Sequence, residues 1–307
     1  MNMELAVTNT SAELYPVTLE PSVAEQPWGL SEDFSAEESA LRGFSGTLLM
    51  AAGNSKAAAG PLAGRSLGYL RQLWGSRLVG STSGGDPDAP LPAELKLKRT
   101  ESTALAVSLT EDSLWYVLGV EEDSAVHAGF NPGLDFREAA EAAGGDLGRW
   151  TEFMPESMAR EGQCLFLPQT APLLMGTGLT LAQIGPPAQQ LLTWPLPGPG
   201  VQGLKLAESG RPPVWSAPQT LEPGRMEIYR GPRLTVQLIT TSHLSDLVSQ
   251  EAATFLWPIA GQGRIRARGP APVTRLQPGR VVMMPAGLGR YAIESGGSVS
   301  YLLIEAS

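Results

Sequence analysis

The feature that most constrains this chain is its punctuation: 35 glycines and 26 prolines recur between short apolar runs over 307 residues. Long helical patterns do not survive such spacing, whereas short strands joined by turns do. Runs at 103–109, 114–120, 163–168 and 179–184 read as strands in the first half, and runs at 234–239, 255–259, 263–267, 280–284 and 299–304 in the second. In 103–109 and 234–239 the side chains alternate between two faces. Many short strands with turns between them predict a mainly β chain of sandwiches or barrels.

Two helices interrupt the pattern. Over 66–79, Leu67, Leu70, Trp74 and Leu78 repeat at helical spacing, with Ser66 placed to cap the start and Gly80 to end it. Over 136–143, Asp135 and Glu138 form a capping-box-like pair. The stretch 185–219 holds many prolines and reads as a crossing between two β-rich units. The expected division is an N-terminal domain at 1–190 with both helices as insertions, a Pro/Gly-rich crossing at 191–219, and a C-terminal domain at 220–307.

Composition removes several function classes. Apolar residues at 42% and charged residues at 17% suit a folded chain. A net charge of −9 argues against a nucleic-acid partner, since phosphate backbones reward clustered Lys and Arg. The first residues lack a basic start and a sustained apolar core, and no stretch approaches the ~20 apolar residues of a membrane span. The expectation is a cytoplasmic protein without a membrane partner. Cys164 is the one cysteine and sits in the apolar run Cys164-Leu165-Phe166-Leu167, which predicts a buried structural thiol. There is no P-loop, no GxGxxG after a strand, no HExxH and no GxSxG. The two histidines are His127 and His243, the latter in a polar stretch that reads as surface.

Several segments carry a resemblance when taken in order. Gln26-Pro27-Trp28-Gly29, the helical stretch 60–80, Pro92-Ala93-Glu94-Leu95-Lys96-Leu97, Leu114-Trp115-Tyr116-Val117-Leu118, His127-Ala128-Gly129-Phe130, the segment 150–168 and Leu181-Ala182-Gln183-Ile184 form a series that closes on Trp194. That series resembles the short bacterial mannose-6-phosphate isomerases of the cupin superfamily. Gly261-Gln262-Gly263, Pro278-Gly279 and Pro285-Ala286-Gly287 resemble the turns of a second cupin unit. The resemblance implies two cupin-like (jelly-roll) β-barrel domains with a few short helices.

It also implies a metal site. The family holds one zinc with a Gln and a His two residues apart on one strand, a Glu on the next strand and a distant His. The matching positions here are Ala106, Ser108, Ser113 and Leu173. Zinc takes imidazole nitrogen, carboxylate oxygen or thiolate, and Ala and Leu offer no donor atom. The family's catalytic arginine matches Gln190. The implied cofactor is therefore none.

A few residues keep usable chemistry. The resemblance places Lys96 in the pocket, against the plain reading of an exposed strand lysine. Glu111 and His127 are the nearest substitutes for lost ligands, against a solvated turn for Glu111 and a backbone-bonded polar group for His127. Arg264, Arg266 and Arg268 share one strand face and, with Arg290, form either an anion site or a charged, solvated edge.

Three functions stay open at this level. One is a non-catalytic relative of the isomerases that binds a sugar, a sugar phosphate or a protein partner. Another is an active mannose-6-phosphate isomerase with zinc on non-standard ligands. The third is a structural or interaction protein whose interior is filled by side chains.

Overall fold

The structure is a computed structural model that describes residues 13–24, 46–80, 91, 93–108, 111–121, 124–134, 136–143, 146–186, 191–194, 212–248 and 252–306. The described residues form three antiparallel sheets of seven, five and ten strands. The seven-stranded sheet runs in the order Val214–Ser216, Cys164–Leu167, Ser113–Val120, Leu179–Gly185, Glu94–Arg99, Gly46–Ala51 and Ser22–Ala24. The five-stranded sheet runs Leu191–Trp194, Ala104–Ser108, Pro172–Met175, Ala125–Ala128 and Glu156–Met158. These two pack face to face over an apolar core that includes Ala106, Trp115, Leu165, Leu173 and Leu181. The ten-stranded sheet holds the C-terminal strands, and its two longest members, Thr254–Ala267 and Arg290–Ala306, pair along most of their length.

The mainly β, cupin-like architecture with a few short helices is as the sequence implies. Barrel closure is not found: among the described residues each sheet ends in edge strands. The strand Val17–Glu20 pairs with Val282–Met284, so this early strand belongs to the C-terminal sheet. Leu191–Trp194 and Val214–Ser216, inside the expected crossing, are strands of the two N-terminal sheets instead.

Two local expectations are corrected. The helix over 66–79 is two helices, Leu67–Trp74 and Ser76–Val79, broken at Gly75 with φ 55°. That conformation costs glycine little and any other residue more. Ser66 does cap the first helix, its hydroxyl accepting from the Tyr69 N–H at 3.2 Å. Of the second pair, Asp135 lies outside the described residues. The predicted turn at Gly261-Gln262-Gly263 is a bulge inside one continuous strand. Gly261 has φ 71°, and a side chain there would collide with the Ser298 carbonyl oxygen, so the strand bends without ending.

A second core joins the halves. It gathers Val17 and Leu19, Leu48 and Met50, the helical Leu67, Leu70, Trp74 and Leu78, then Leu95, Leu97 and Leu114, and finally Phe255, Trp257, Leu302 and Ile304. One apolar cluster thus takes side chains from both ends of the chain. Unfolding should be a single transition. Truncating the fully buried Leu19 to alanine should cost about 2–5 kcal/mol and shift that whole transition. Urea titration read by tryptophan fluorescence and far-UV circular dichroism checks this. Two separated transitions, only one of them moved by the substitution, would contradict it.

Candidate functional site

The residues matched to the family's metal ligands lie mostly inside the N-terminal sandwich. On the five-stranded sheet Leu173 is in register with Ala106 on one side and Ala128 on the other. Ala106 is 0% and Leu173 1% exposed, and both belong to the interior core. On the facing sheet Ser113, Trp115 and Val117 alternate toward the same interior, while Leu114 and Tyr116 point to the core between the halves. The buried Ser113 hydroxyl accepts a hydrogen bond from the Trp115 indole N–H at 2.9 Å. Ser108 closes the strand that carries Ala106, paired with Leu191. Gln190 lies outside the described residues.

The side chains of Ala106 and Leu173 offer a zinc ion no donor atom. A methyl group meets an isobutyl group where two donors would be needed, and the serine hydroxyl is engaged by an indole. Among the described residues no group of three His, Cys, Asp or Glu side chains is arranged to hold a metal.

Charge enters the sandwich from the strand Glu94–Arg99. Leu95 and Leu97 face the core between the halves, which turns Glu94, Lys96 and Lys98 toward the sandwich. Lys96 Nζ lies 2.5 Å from Glu94 Oε1, and both side chains are largely covered. Lys98 is 1% exposed, and its Nζ sits 5.2 Å from the centroid of the Trp115 ring. That is within reach of a cation–π attraction. Thr47 lies in register with Lys98, and Gln183 with Lys96; both are buried. Burial and, secondarily, the neighbouring Lys96 ammonium lower the Lys98 pKa to about 7. Sequence reasoning singled out Lys96 and missed Lys98, Thr47 and Gln183. Strict alternation in Glu94–Arg99 was the available signal, but it reads as leucines inward and lysines outward.

The remaining candidates are dispersed. His127 alternates with Val126 and Ala128, both of the interior core, and is in register with Leu174 of the outer cluster under the helices. It therefore points away from the sandwich interior. Its Nδ1 is buried with no hydrogen-bond partner among the described residues, so the expected backbone bond is not made at that atom. Glu111 instead forms an ion pair with Arg233 at 3.0 Å. The two do not assemble into a substitute site. Arg264, Arg266, Arg268 and Arg290 are exposed. Arg266 pairs with Glu294 at 2.7 Å, and Arg268 and Arg290 meet through their backbones. Cys164 is buried, and desolvation pushes its thiol up to about 11, which disfavours a nucleophilic thiolate. His243 is exposed in a polar turn with Thr241. No helix among the described residues is long and apolar enough to cross a membrane.

No protein-family model matches the sequence, and no curated protein is significantly similar to it. Solved structures do match. The fold is similar to that of mannose 6-phosphate isomerase from Bacillus subtilis, with TM-score 0.71 and 15% identity over 95% of this chain and 100% of that one. It is also similar to the apo form of the enzyme from Salmonella typhimurium, with TM-score 0.67 and 12% identity over 94% of this chain and 99% of that one. A zinc-bound mannose 6-phosphate isomerase matches equally well, with TM-score 0.67 and 12% identity over the same shares. At these identities the likeness establishes the fold.

Lys98 generates a pH prediction. Its folded pKa of about 7 lies below the ordinary lysine value of 10.5, so between those values the unfolded chain binds more protons than the folded one. Stability should rise with pH through that window, and the cost of the buried charge should be fully present below it. Lys98→Met should flatten this part of the profile and stabilise the protein more at acidic than at alkaline pH. Urea midpoints of both proteins below and above neutrality read it out; parallel profiles would contradict it.

Proposed function

We propose that this chain is a non-catalytic protein on the mannose-6-phosphate isomerase fold, one that binds a sugar or sugar phosphate without interconverting aldose and ketose. The observation that carries this reading is the register of Ala106 against Leu173, both buried in the packed sandwich interior. An aldose–ketose isomerisation passes through an enediolate whose negative charge needs a metal or fixed cation beside it. Two of the four positions matched to the metal ligands carry only hydrocarbon, and Ser113 is committed to Trp115.

The packing of that interior also supports a purely structural or interaction role, which predicts no ligand at all. A thermal-shift series against hexoses and hexose phosphates separates the two readings, because ligand that binds only the folded state raises the melting temperature.

The direct test is a coupled assay of mannose 6-phosphate and fructose 6-phosphate interconversion in zinc-supplemented buffer. The reading predicts no turnover above the uncatalysed rate. Chelator-sensitive turnover at the ~1–1,000 s⁻¹ of ordinary enzymes would overturn it.

A further inference from the structure

The seven-stranded sheet has a second face, and an open cleft of about 490 Å³ lies along it, between the two halves of the molecule. That volume falls within the roughly 300–1,000 Å³ typical of small-molecule sites. Leu114 and Ile184 line the cleft, and both belong to the core between the halves rather than to the sandwich interior. The sheet thus separates this cleft from Ala106 and Leu173.

Both halves build the walls. Phe166 comes from the seven-stranded sheet and Tyr229 from the ten-stranded sheet. Their rings stack across the junction, with centroids 5.6 Å apart and planes 10° from parallel. The polar lining is also shared. Arg233 Nη1 lies 3.0 Å from Glu111 Oε2, an ion pair between residues 122 positions apart. The Asp112 carboxylate accepts from the Gln169 backbone N–H at 2.9 Å.

This lining has a definite chemical preference. Two carboxylates face one guanidinium, and that guanidinium is already engaged by Glu111. A phosphate or carboxylate ligand would meet net negative charge and a committed arginine, so an anion is disfavoured. Carboxylates accept hydrogen bonds from hydroxyl groups, and Arg233, 81% exposed at its side chain, has five N–H donors in all. The hydrocarbon and aromatic walls favour a ligand with an apolar face. A pyranose ring combines these needs: its C–H face is apolar and its hydroxyl groups project at the edge.

We propose that the cleft between the halves binds a neutral hexopyranose, with its C–H face on the apolar wall and its hydroxyls on Glu111, Asp112 and Arg233. The proposal rests on the reading of the chain as a sugar-binding protein and deepens it by placing the site and choosing uncharged sugar over sugar phosphate. A ligand held here touches both halves at once.

Saturation-transfer NMR on the full chain with D-mannose, D-glucose and mannose 6-phosphate tests it, beside Pro232→Trp and Glu111→Gln variants checked for unchanged melting. Pro232 is an exposed cleft residue, and an indole there fills the space. The expected result is transfer to at least one neutral hexose, weakened on the order of tenfold by Pro232→Trp, reduced by Glu111→Gln, and no stronger for mannose 6-phosphate. Hexose transfer that persists unchanged in Pro232→Trp overturns the cleft while leaving a sugar-binding protein with its site elsewhere. Transfer confined to mannose 6-phosphate overturns the neutral-sugar assignment alone. No transfer from any of the three overturns the cleft and the sugar-binding reading together, whereas isomerase turnover in the coupled assay strikes only the non-catalytic reading.

Discussion

Burial of the seven-stranded sheet on both faces is the constraint on which the rest of the molecule depends. One face packs against the five-stranded sheet, and the other against the helices and the C-terminal sheet. Most side chains on its central strands therefore belong to one core or the other. Leu95, Leu97, Leu114 and Ile184 knit the halves together, while Lys98, Trp115 and Leu181 serve the sandwich. The strand Val17–Glu20 extends the same logic, leaving the N-terminal half to pair with the C-terminal sheet. A molecule tied through a shared core in this way should unfold as one cooperative body.

The same constraint explains what fills the positions matched to the metal site. A metal ion supplies several strong bonds to an otherwise polar cavity, and side chains in its place must either pack or pair. Here Leu173 and Ala106 pack, and Ser113 pairs with the Trp115 indole. Lys98 lays its ammonium over the face of the same indole. Lys98 is thus a titratable group whose charged form burial disfavours. Trp115 links Ser113 and Lys98, since it donates to Ser113 through its ring N–H and receives Lys98 on its face.

Much of the fold was legible because alternation and punctuation are local signals. The strands Cys164–Leu167, Leu179–Gly185 and Leu234–Thr241 lie where the apolar runs place them. What escaped reading depends on distant partners. Glu94–Arg99 shows leucines alternating with charges, which locally means a solvated face; only the facing sheet reveals that the charges point inward. Gly261 reads as a turn because a positive φ and a chain reversal share the same residue preference, and pairing with Arg290–Ala306 decides for a bulge. The membership of Val17–Glu20 in the C-terminal sheet has no local signature at all. Of the candidate site, the absence of donor atoms at Ala106 and Leu173 is plain from residue type alone, whereas the outward orientation of His127 required the register with Leu174.

The packed interior around Ala106, Ser113 and Leu173 should bind no metal ion. Elemental analysis of the protein, purified without chelators and then equilibrated with zinc, tests it most directly. No stoichiometric zinc and a melting temperature indifferent to chelator are expected. One tightly held zinc per chain, whose removal lowers the melting temperature, would contradict it.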